Sequence, residues 1–174
     1  MTSSFSLNAR KKLYRLAFGL IISLLAMAFG HHSLALPDDR DQPIKIDADR
    51  AIRNDKAGIT EFIGNATLIQ GSMVIKAHNI TISQSNKGIS DITALGSPAT
   101  FEQRPQLDQT LVTAKAKRIE YNIGSEIVKL LEDASIDQDG STITSDNIHY
   151  DIGKSLAEAS GEKRVNIVIQ PNNQ

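Results

Sequence analysis

The chain has 174 residues, with 19 Lys and Arg against 20 Asp and Glu, and it contains neither Cys nor Trp. This length accommodates one ordinary domain. The nearly balanced charge, without a basic block after the first residues, argues against a nucleic-acid partner. Because cysteine is absent, a hydrophobic core or pairing with other chains must stabilise the fold without disulfide bonds.

The first 35 residues have the three-part layout of a secretory signal peptide. Four basic residues and no acid lie in residues 1–15, and residues 16–30 form an uncharged apolar core. Ser33 and Ala35 occupy positions −3 and −1 of a cut after Ala35. A retained membrane anchor is the alternative, but a spanning helix needs about 20 apolar residues and this core is shorter.

Cleavage after Ala35 leaves residues 36–174, which we expect to form a single domain. The four basic residues of the leader are lost with no acid, so 15 Lys and Arg remain against 20 Asp and Glu. The net charge of the mature chain is therefore about −5.

Short runs rich in Ile, Val and Thr follow one another from Pro43 onward. Many of them alternate apolar and polar residues, as half-buried strands do. Glycine-containing turn signals separate the runs, and Asp139-Gly140 is a strong one because both central residues of a type I′ turn need φ > 0. The pattern predicts an all-β chain. The predicted strands are 43–52, 59–69, 72–83, 89–96, 98–103, 111–123, 126–137, 141–152 and 164–170.

A repeat without gaps relates two stretches that lie 68 residues apart. Residues 59–83 align with residues 127–151, and a period of this kind indicates units that each bury one face against their neighbours. The identical pairs include Ile59/Ile127, Ala66/Ala134, Gln70/Gln138, Ile75/Ile143, Asn79/Asn147 and Ile80/Ile148.

Motifs of catalysis and metal binding are missing from the sequence, which has no H-E-x-x-H, no G-x-S-x-G and no complete phosphate loop. The two histidines after the leader, His78 and His149, occupy non-equivalent positions of the repeat and share no spacing to acids. We therefore expect no catalytic residue, no metal, no cofactor and no enzymatic activity. The alternative, a polysaccharide-active β-helix enzyme, requires carboxylates clustered on one strand face, whereas the acids here are scattered mostly near turns.

The alternation places aliphatic and aromatic side chains on one face of several strands. An interior of this kind that is not fully closed presents an apolar groove, which is a way to bind a lipid tail. An error of one residue in register would turn the set on any one strand to the other face. The predicted lipid-binding residues are Ile44, Ile46, Phe62, Ile80, Ile82, Phe101, Tyr121 and Ile123.

Five segments in this order carry a resemblance to a known family. They are QPIKIDADRA, TEFIGNATLIQGSMVIKAHNITI, GSPATFEQ, AKRIEYN and RVNIVIQP. Together they resemble the OstA-like (LptA) family of periplasmic lipopolysaccharide-transport proteins, over essentially all of residues 41–171. The sequence departs from the pattern in the second repeat, where Glu132-Asp133 replaces Gly64-Asn65.

The resemblance implies an open, V-shaped, twisted antiparallel β-jellyroll in the periplasm of a Gram-negative bacterium. It implies that the ligand is lipopolysaccharide and that the protein bridges two membranes. The partners would be an inner-membrane lipopolysaccharide transporter complex with an LptC-like domain and an outer-membrane translocon with an LptD-like N-terminal domain. Docking, including self-association, would be head to tail through the terminal strand edges. A membrane-anchored LptC-like component of the same pathway is the alternative, and it would keep residues 1–35.

Overall fold

The structure, a computed structural model, describes residues 39–86, 88–105, 110–162 and 164–171. The expected signal peptide lies outside these residues. Strands make up most of the described chain, and the helical element among the described residues is a 3₁₀ turn, Asp39–Asp41. The strands are β1 (Lys45–Asp47), β2 (Arg50–Asn54), β3 (Ile59–Gln70), β4 (Met73–Ser85), β5 (Gly88–Gln103), β6 (Val112–Asn122), β7 (Ile127–Gln138), β8 (Ser141–Asp151), β9 (Leu156–Ser160) and β10 (Asn166–Val168).

All ten strands belong to one antiparallel sheet. Strands β3 to β8 follow each other as neighbours in chain order, which is the simplest connection for antiparallel strands. Two short strands, β1 and β2, pair with successive parts of β3 and form one edge. Two others, β9 and β10, pair with successive parts of β8 and form the opposite edge. The sheet is therefore open, because among the described strands its two edges do not pair with each other.

Each long strand is interrupted near its middle, and these interruptions line up across the sheet; β4 and β5 have a further register shift near Ser83. We call this line the corner. Bulges or gaps in pairing mark it, and such irregularities bend a strand and increase its twist. The corner residues are Asp49, Gly64-Asn65, Ala77-His78, Gly96-Ser97-Pro98, Ala116-Lys117, Glu132-Asp133 and Asp146.

The corner divides the sheet into two layers that face each other across one interior. Layer I contains β2, β9 and the half of each long strand that lies on their side of the corner. Layer II contains β1, β10 and the other half of each long strand. In β4 the buried side chains are Met73 and Ile75 before the corner, and Ile80 and Ile82 after it. The change from odd to even numbers occurs because the corner shifts the alternation by one residue. Both layers thereby point their apolar side chains inward.

The 68-residue repeat is confirmed in the strand bounds, since β3 and β7 begin at Ile59 and Ile127 and end at Gln70 and Gln138. The turns that follow are two residues long in both cases. In the second one, Asp139 has φ 56° and Gly140 has φ 73°, so the predicted type I′ turn is confirmed.

The corner conformation is also repeated. Gly64 and Asn65 have φ 81° and 46°, and Glu132 and Asp133, at the equivalent positions, have φ 64° and 54°. The substitution that distinguishes the second unit therefore leaves the backbone conformation of the corner unchanged, although a left-handed conformation disfavours residues with a Cβ.

The predicted strand list is wrong in three places. Residues 89–96 and 98–103 form one strand, β5, because Gly96-Ser97-Pro98 makes a corner and not a turn. Residues 43–52 form two strands, because the chain breaks at the corner residue Asp49. Strand β9 was not predicted, since its sequence LAEAS lacks the β-branched residues that mark the other strands.

Candidate functional site

The interior contains a row of side chains that crosses layer II from one edge of the sheet to the other. Neighbours in the row are cross-strand partners on the same face, at the distance where such pairs pack. Phe101, in the middle, is completely buried, whereas Ile167, at the β10 edge, is 55 % exposed. The apolar interior thus reaches the surface at one end. The row is Ile46, Leu68, Ile75, Phe101, Ala114, Ile136, Ile143 and Ile167.

A cavity of about 660 Å³ lies at this exposed end, between the two layers. Its volume falls within the roughly 300–1,000 Å³ of ordinary ligand pockets. Polar residues of the chain ends and turns form its rim, among them Asp139, Ser141 and Gln170. Its apolar lining comes from both layers and consists of Ile136, Ile143, Tyr150, Ala157, Ile167, Ile169 and Pro171.

Tyr150 is the one aromatic residue in the lining, and it is 2 % exposed. Its hydroxyl has no hydrogen-bond partner of acceptable geometry among the described residues. Burial raises the pKa of this phenol, and the neighbouring Ser155 hydroxyl partly offsets the increase. Tyr150 therefore adds no charge to the apolar wall at neutral pH, and the acidic residue of the lining, Asp139, lies at the rim.

At the first hairpin, away from the cavity, residues 39–42 cross the ends of several strands, and we call this segment the strap. The Asp39 carboxylate accepts hydrogen bonds from the Ser72 amide (2.6 Å), the Ser72 hydroxyl (2.6 Å) and Gln103 Nε2 (2.9 Å). Gln70 Nε2 donates to the carbonyl oxygens of Arg40 and Gln42, at 3.2 and 3.1 Å. These bonds use the side-chain NH₂ groups of two of the few buried polar residues, Gln70 and Gln103. Among the described residues, Gln103 Oε1 has no hydrogen-bond partner.

One difference between the two repeats accounts for much of this contrast between the ends. At the start of β4, Met73 is 1 % exposed and fills the interior. The equivalent residue at the start of β8 is Ser141. It lines the cavity, and its hydroxyl accepts a hydrogen bond from the backbone N–H of Gln170 at 3.2 Å. A short polar side chain in place of a long apolar one leaves volume between the layers.

All eight predicted lipid-binding residues lie on the inward face and belong to one apolar cluster. Ile80, Ile82, Phe101 and Tyr121 are buried in it, and Ile44, Ile46, Phe62 and Ile123 are partly buried against it. Their orientation is thus as the alternation predicts, and their contact with lipid stays a prediction. None of them lines the cavity of about 660 Å³.

The cavity residues were missed, although the sequence carries a signal for most of them. The repeat relates Ile136, Ile143 and Tyr150 to the inward residues Leu68, Ile75 and Ile82. Alternation in RVNIVIQ places Ile167 and Ile169 on one face. Applying the inward set of the first repeat to the second would have found the apolar wall.

Neither histidine takes part in the interior, since His78 and His149 are both exposed. Within the described ranges, no group of three or more His, Cys, Asp or Glu side chains is placed to hold a metal ion. The same residues contain no helix that is both long and apolar enough to cross a bilayer.

An antiparallel sheet that is bent at a corner and open at both edges, with an aliphatic interior, belongs to the open β-jellyrolls. Comparison with known proteins identifies the family. Residues 45–155 match the family described as "LptA/(LptD N-terminal domain) LPS transport protein". The chain therefore belongs to this family of lipopolysaccharide-transport proteins.

Relatives in the family align with nearly the whole chain. The lipopolysaccharide export system protein LptH of Pseudomonas aeruginosa is 33 % identical over 87 % of this chain and 93 % of its own length. LptA of Haemophilus influenzae is 33 % identical, with 91 % and 95 % covered, and LptA of Escherichia coli K12 is 28 % identical, with 92 % and 89 % covered. The crystal structure of Pseudomonas aeruginosa LptH superposes with a TM-score of 0.74 at 32 % identity, covering 78 % of this chain and all of that one.

Proposed function

We propose that the protein carries lipopolysaccharide through the periplasm by holding its acyl chains between the two layers of the sheet. The observation that carries this proposal is the inward row of layer II, which continues without a polar residue from the buried core to the exposed Ile167. Each methylene that leaves water contributes about 0.8 kcal/mol. The sugar head of the lipid stays in solvent at the polar rim of the cavity.

The two edges of the sheet supply the docking surfaces of a bridge. Every residue of β2 and of β10 is exposed, and among the described strands each edge pairs on one side only. Unpaired strand edges recruit further strands, which is an aggregation hazard unless the pairing is functional. Pairing of the β9–β10 edge with the β1–β2 edge of the next molecule is head to tail and does not close on itself.

The same edges fit the two membrane partners. A domain of the LptC type at the inner membrane would pair with one edge, and a domain of the LptD N-terminal type at the outer membrane would pair with the other. Support comes from the family itself, whose description joins LptA with the N-terminal domain of LptD. Domains of one fold offer each other matching edges, so a continuous apolar groove results.

Neighbouring residues of β10 provide the decisive test of lipid binding. Ile167 and Val168 are exposed to a similar extent, 55 % and 49 %, but they point to opposite faces of the strand. A photoreactive amino acid at position 167 is expected to label lipopolysaccharide in cells, and one at position 168 is the matched control. Equal labelling at both positions, or none at 167, contradicts binding in the interior.

The fate of residues 1–35 separates a released carrier from the membrane-anchored alternative. We expect the exported protein to begin at Leu36, as N-terminal sequencing of the periplasmic fraction would show. A protein that begins at Met1 and sediments with the inner membrane would instead be the anchored, LptC-like component.

A further inference from the structure

We propose that the strap, residues 39–42, is a gate between the two layers, anchored on layer II and latched to layer I by the ion pair of Arg40 with Glu126. The proposal rests on the lipid-carrying function proposed above, because a gate matters only if acyl chains enter the interior. It adds that the first-hairpin end of the groove is held shut in this structure and must open for a chain to pass.

The anchor of the strap lies entirely in layer II. Asp39 receives its three hydrogen bonds from Ser72, in the turn between β3 and β4, and from Gln103, at the end of β5. Hydrogen bonds to a charged acceptor are stronger than those between neutral groups. A Cβ at Gly71 would overlap the Asp39 carboxylate, so the strap lies directly against this turn.

The latch reaches the other layer. Arg40 Nε lies 3.1 Å from Glu126 Oε1, and Glu126 belongs to the turn between β6 and β7, at the open end of layer I. The carbonyl oxygen of Glu126 accepts a hydrogen bond from the Ile152 amide at 3.0 Å, which fixes this turn to the neighbouring one. One ion pair of the strap therefore joins the free ends of the two layers.

The anchor and the latch differ in strength in the way a gate requires. The latch is one ion pair whose side chains are 43 % and 28 % exposed, so water and salt weaken it. The anchor has five hydrogen bonds, two of them exposed ones from Ser72 and three from the buried side chains of Gln70 and Gln103. Separation of the layers should therefore break the latch first and leave the strap on layer II. Behind the strap, the interior continues through Met73, Phe101 and Val112, all buried.

The test uses a charge reversal and its rescue. Arg40→Glu opposes two carboxylates and should open the gate, and Arg40→Glu/Glu126→Arg should restore it. Arg118→Glu is the matched control, because Arg118 pairs with Glu120 inside β6, at exposures of 43 % and 32 % that match those of the latch, and this pair joins no layers. Since the chain has no cysteine, spin labels at Lys45→Cys in layer II and Ser125→Cys in layer I report the separation without lipid.

Two readouts are expected to change together. Arg40→Glu should widen the distance distribution between the labels and raise the association rate of a fluorescent fatty acid about five-fold, as expected for losing a pair of this exposure. The double variant should return both readouts toward the wild type, and Arg118→Glu should change neither.

The outcomes separate the gate from the function on which it rests. If the fatty acid binds all variants at one rate, or if the charge swap does not rescue the reversal, the gate is wrong while lipid binding stands. If the fatty acid and purified lipopolysaccharide bind none of the variants, both the lipid-carrying function and the gate are wrong.

Discussion

Two hairpins of the sheet, β3–β4 and β7–β8, are equivalent units of the repeat. Their strands begin at equivalent positions, their corners have the same conformation and their turns have equal length, yet they border different ends of the interior. The first begins β4 with Met73 and is covered by the strap, and the second begins β8 with Ser141 and borders the open cavity. The same backbone unit thus borders a filled part of the interior in one case and a cavity in the other. The difference arises from side chains at a few equivalent positions.

The largest expected difference between the hairpins is at the start of their second strands. Met73→Ala should lower the free energy of unfolding by about 3 kcal/mol, because it removes a buried side chain and leaves a cavity. Ser141→Ala, the equivalent change, should cost less than about 1 kcal/mol, since it removes one exposed hydrogen bond. Urea denaturation followed by circular dichroism measures both. Similar losses at the two positions would contradict the assignment of a closed and an open end.

The corner is the next place where the two hairpins should respond differently to substitution. Gly64→Ala should cost about 2–3 kcal/mol, because a left-handed backbone at φ 81° acquires a Cβ and that Cβ meets the Asp49 carboxylate. Glu132→Ala, at φ 64°, should change stability by less than about 0.5 kcal/mol, since the strain of a Cβ is already present there. Denaturation curves that show no difference between the two variants would rule out the equivalence of the corners.

The second hairpin should make the free energy of unfolding fall at alkaline pH, because Tyr150 occupies the position that Ile82 has in the first hairpin. Burial raises the pKa of Tyr150 above its ordinary value of 10.0, so folding favours the protonated phenol. That stability is complete below the ordinary pKa and is lost as pH rises through the pKa of the folded state. Tyr150→Phe should therefore flatten the fall in unfolding free energy above about pH 10, where the wild type loses this stability. An unchanged alkaline slope would show that other groups cause the loss.

The smallest difference concerns the contacts across the corner. The Asn65 amide donates to Asp49 at 2.9 Å, and at the equivalent positions Lys117 pairs with Asp133 at 2.7 Å, with both side chains more than half exposed. Lys117→Met should cost about 0.5 kcal/mol, and this loss should vanish in about 1 M salt. Asp49→Ala should cost about 1 kcal/mol, with little dependence on salt. Equal salt dependence at the two sites would contradict the distinction between an ion pair and a hydrogen bond.

Much of the fold and the orientation of its interior could be predicted from the sequence, because strand alternation has a period of two and the chain repeats itself. Ile80 and Ile82 point to the same face, as alternation predicts, and Asp139-Gly140 forms the expected turn. Local patterns of this kind depend on neighbouring residues, which the sequence displays directly.

The corner was harder to predict, because its residues resemble those of ordinary turns. Gly96-Ser97-Pro98 has the composition of a strand terminator, but β5 continues through it. What decides between a turn and a bulge is the pairing of both neighbouring strands, which is a property of the whole sheet.

The strap and the cavity could not be predicted from local pattern at all. The contact of Asp39 with Gln103 joins residues 64 positions apart. The segment DRDQ, residues 39–42, has no periodicity that would predict it. The cavity depends on a volume left between two layers, and so on the pairing of Ser141 with the far end of the chain at Gln170.

The shift in alternation at the corner also determines where the length of this protein can change. Deleting one residue between Ile75 and Ile80 would exchange the inner and outer faces of half of β4 and expose its apolar side chains to water. The same deletion in a turn at either end of the layers would leave every face as it is. Insertions and deletions accepted during evolution or engineering should therefore accumulate in the outer loops and be rare at the corner. The one-residue shift at the corner is what directs the apolar side chains of both layers toward the same interior.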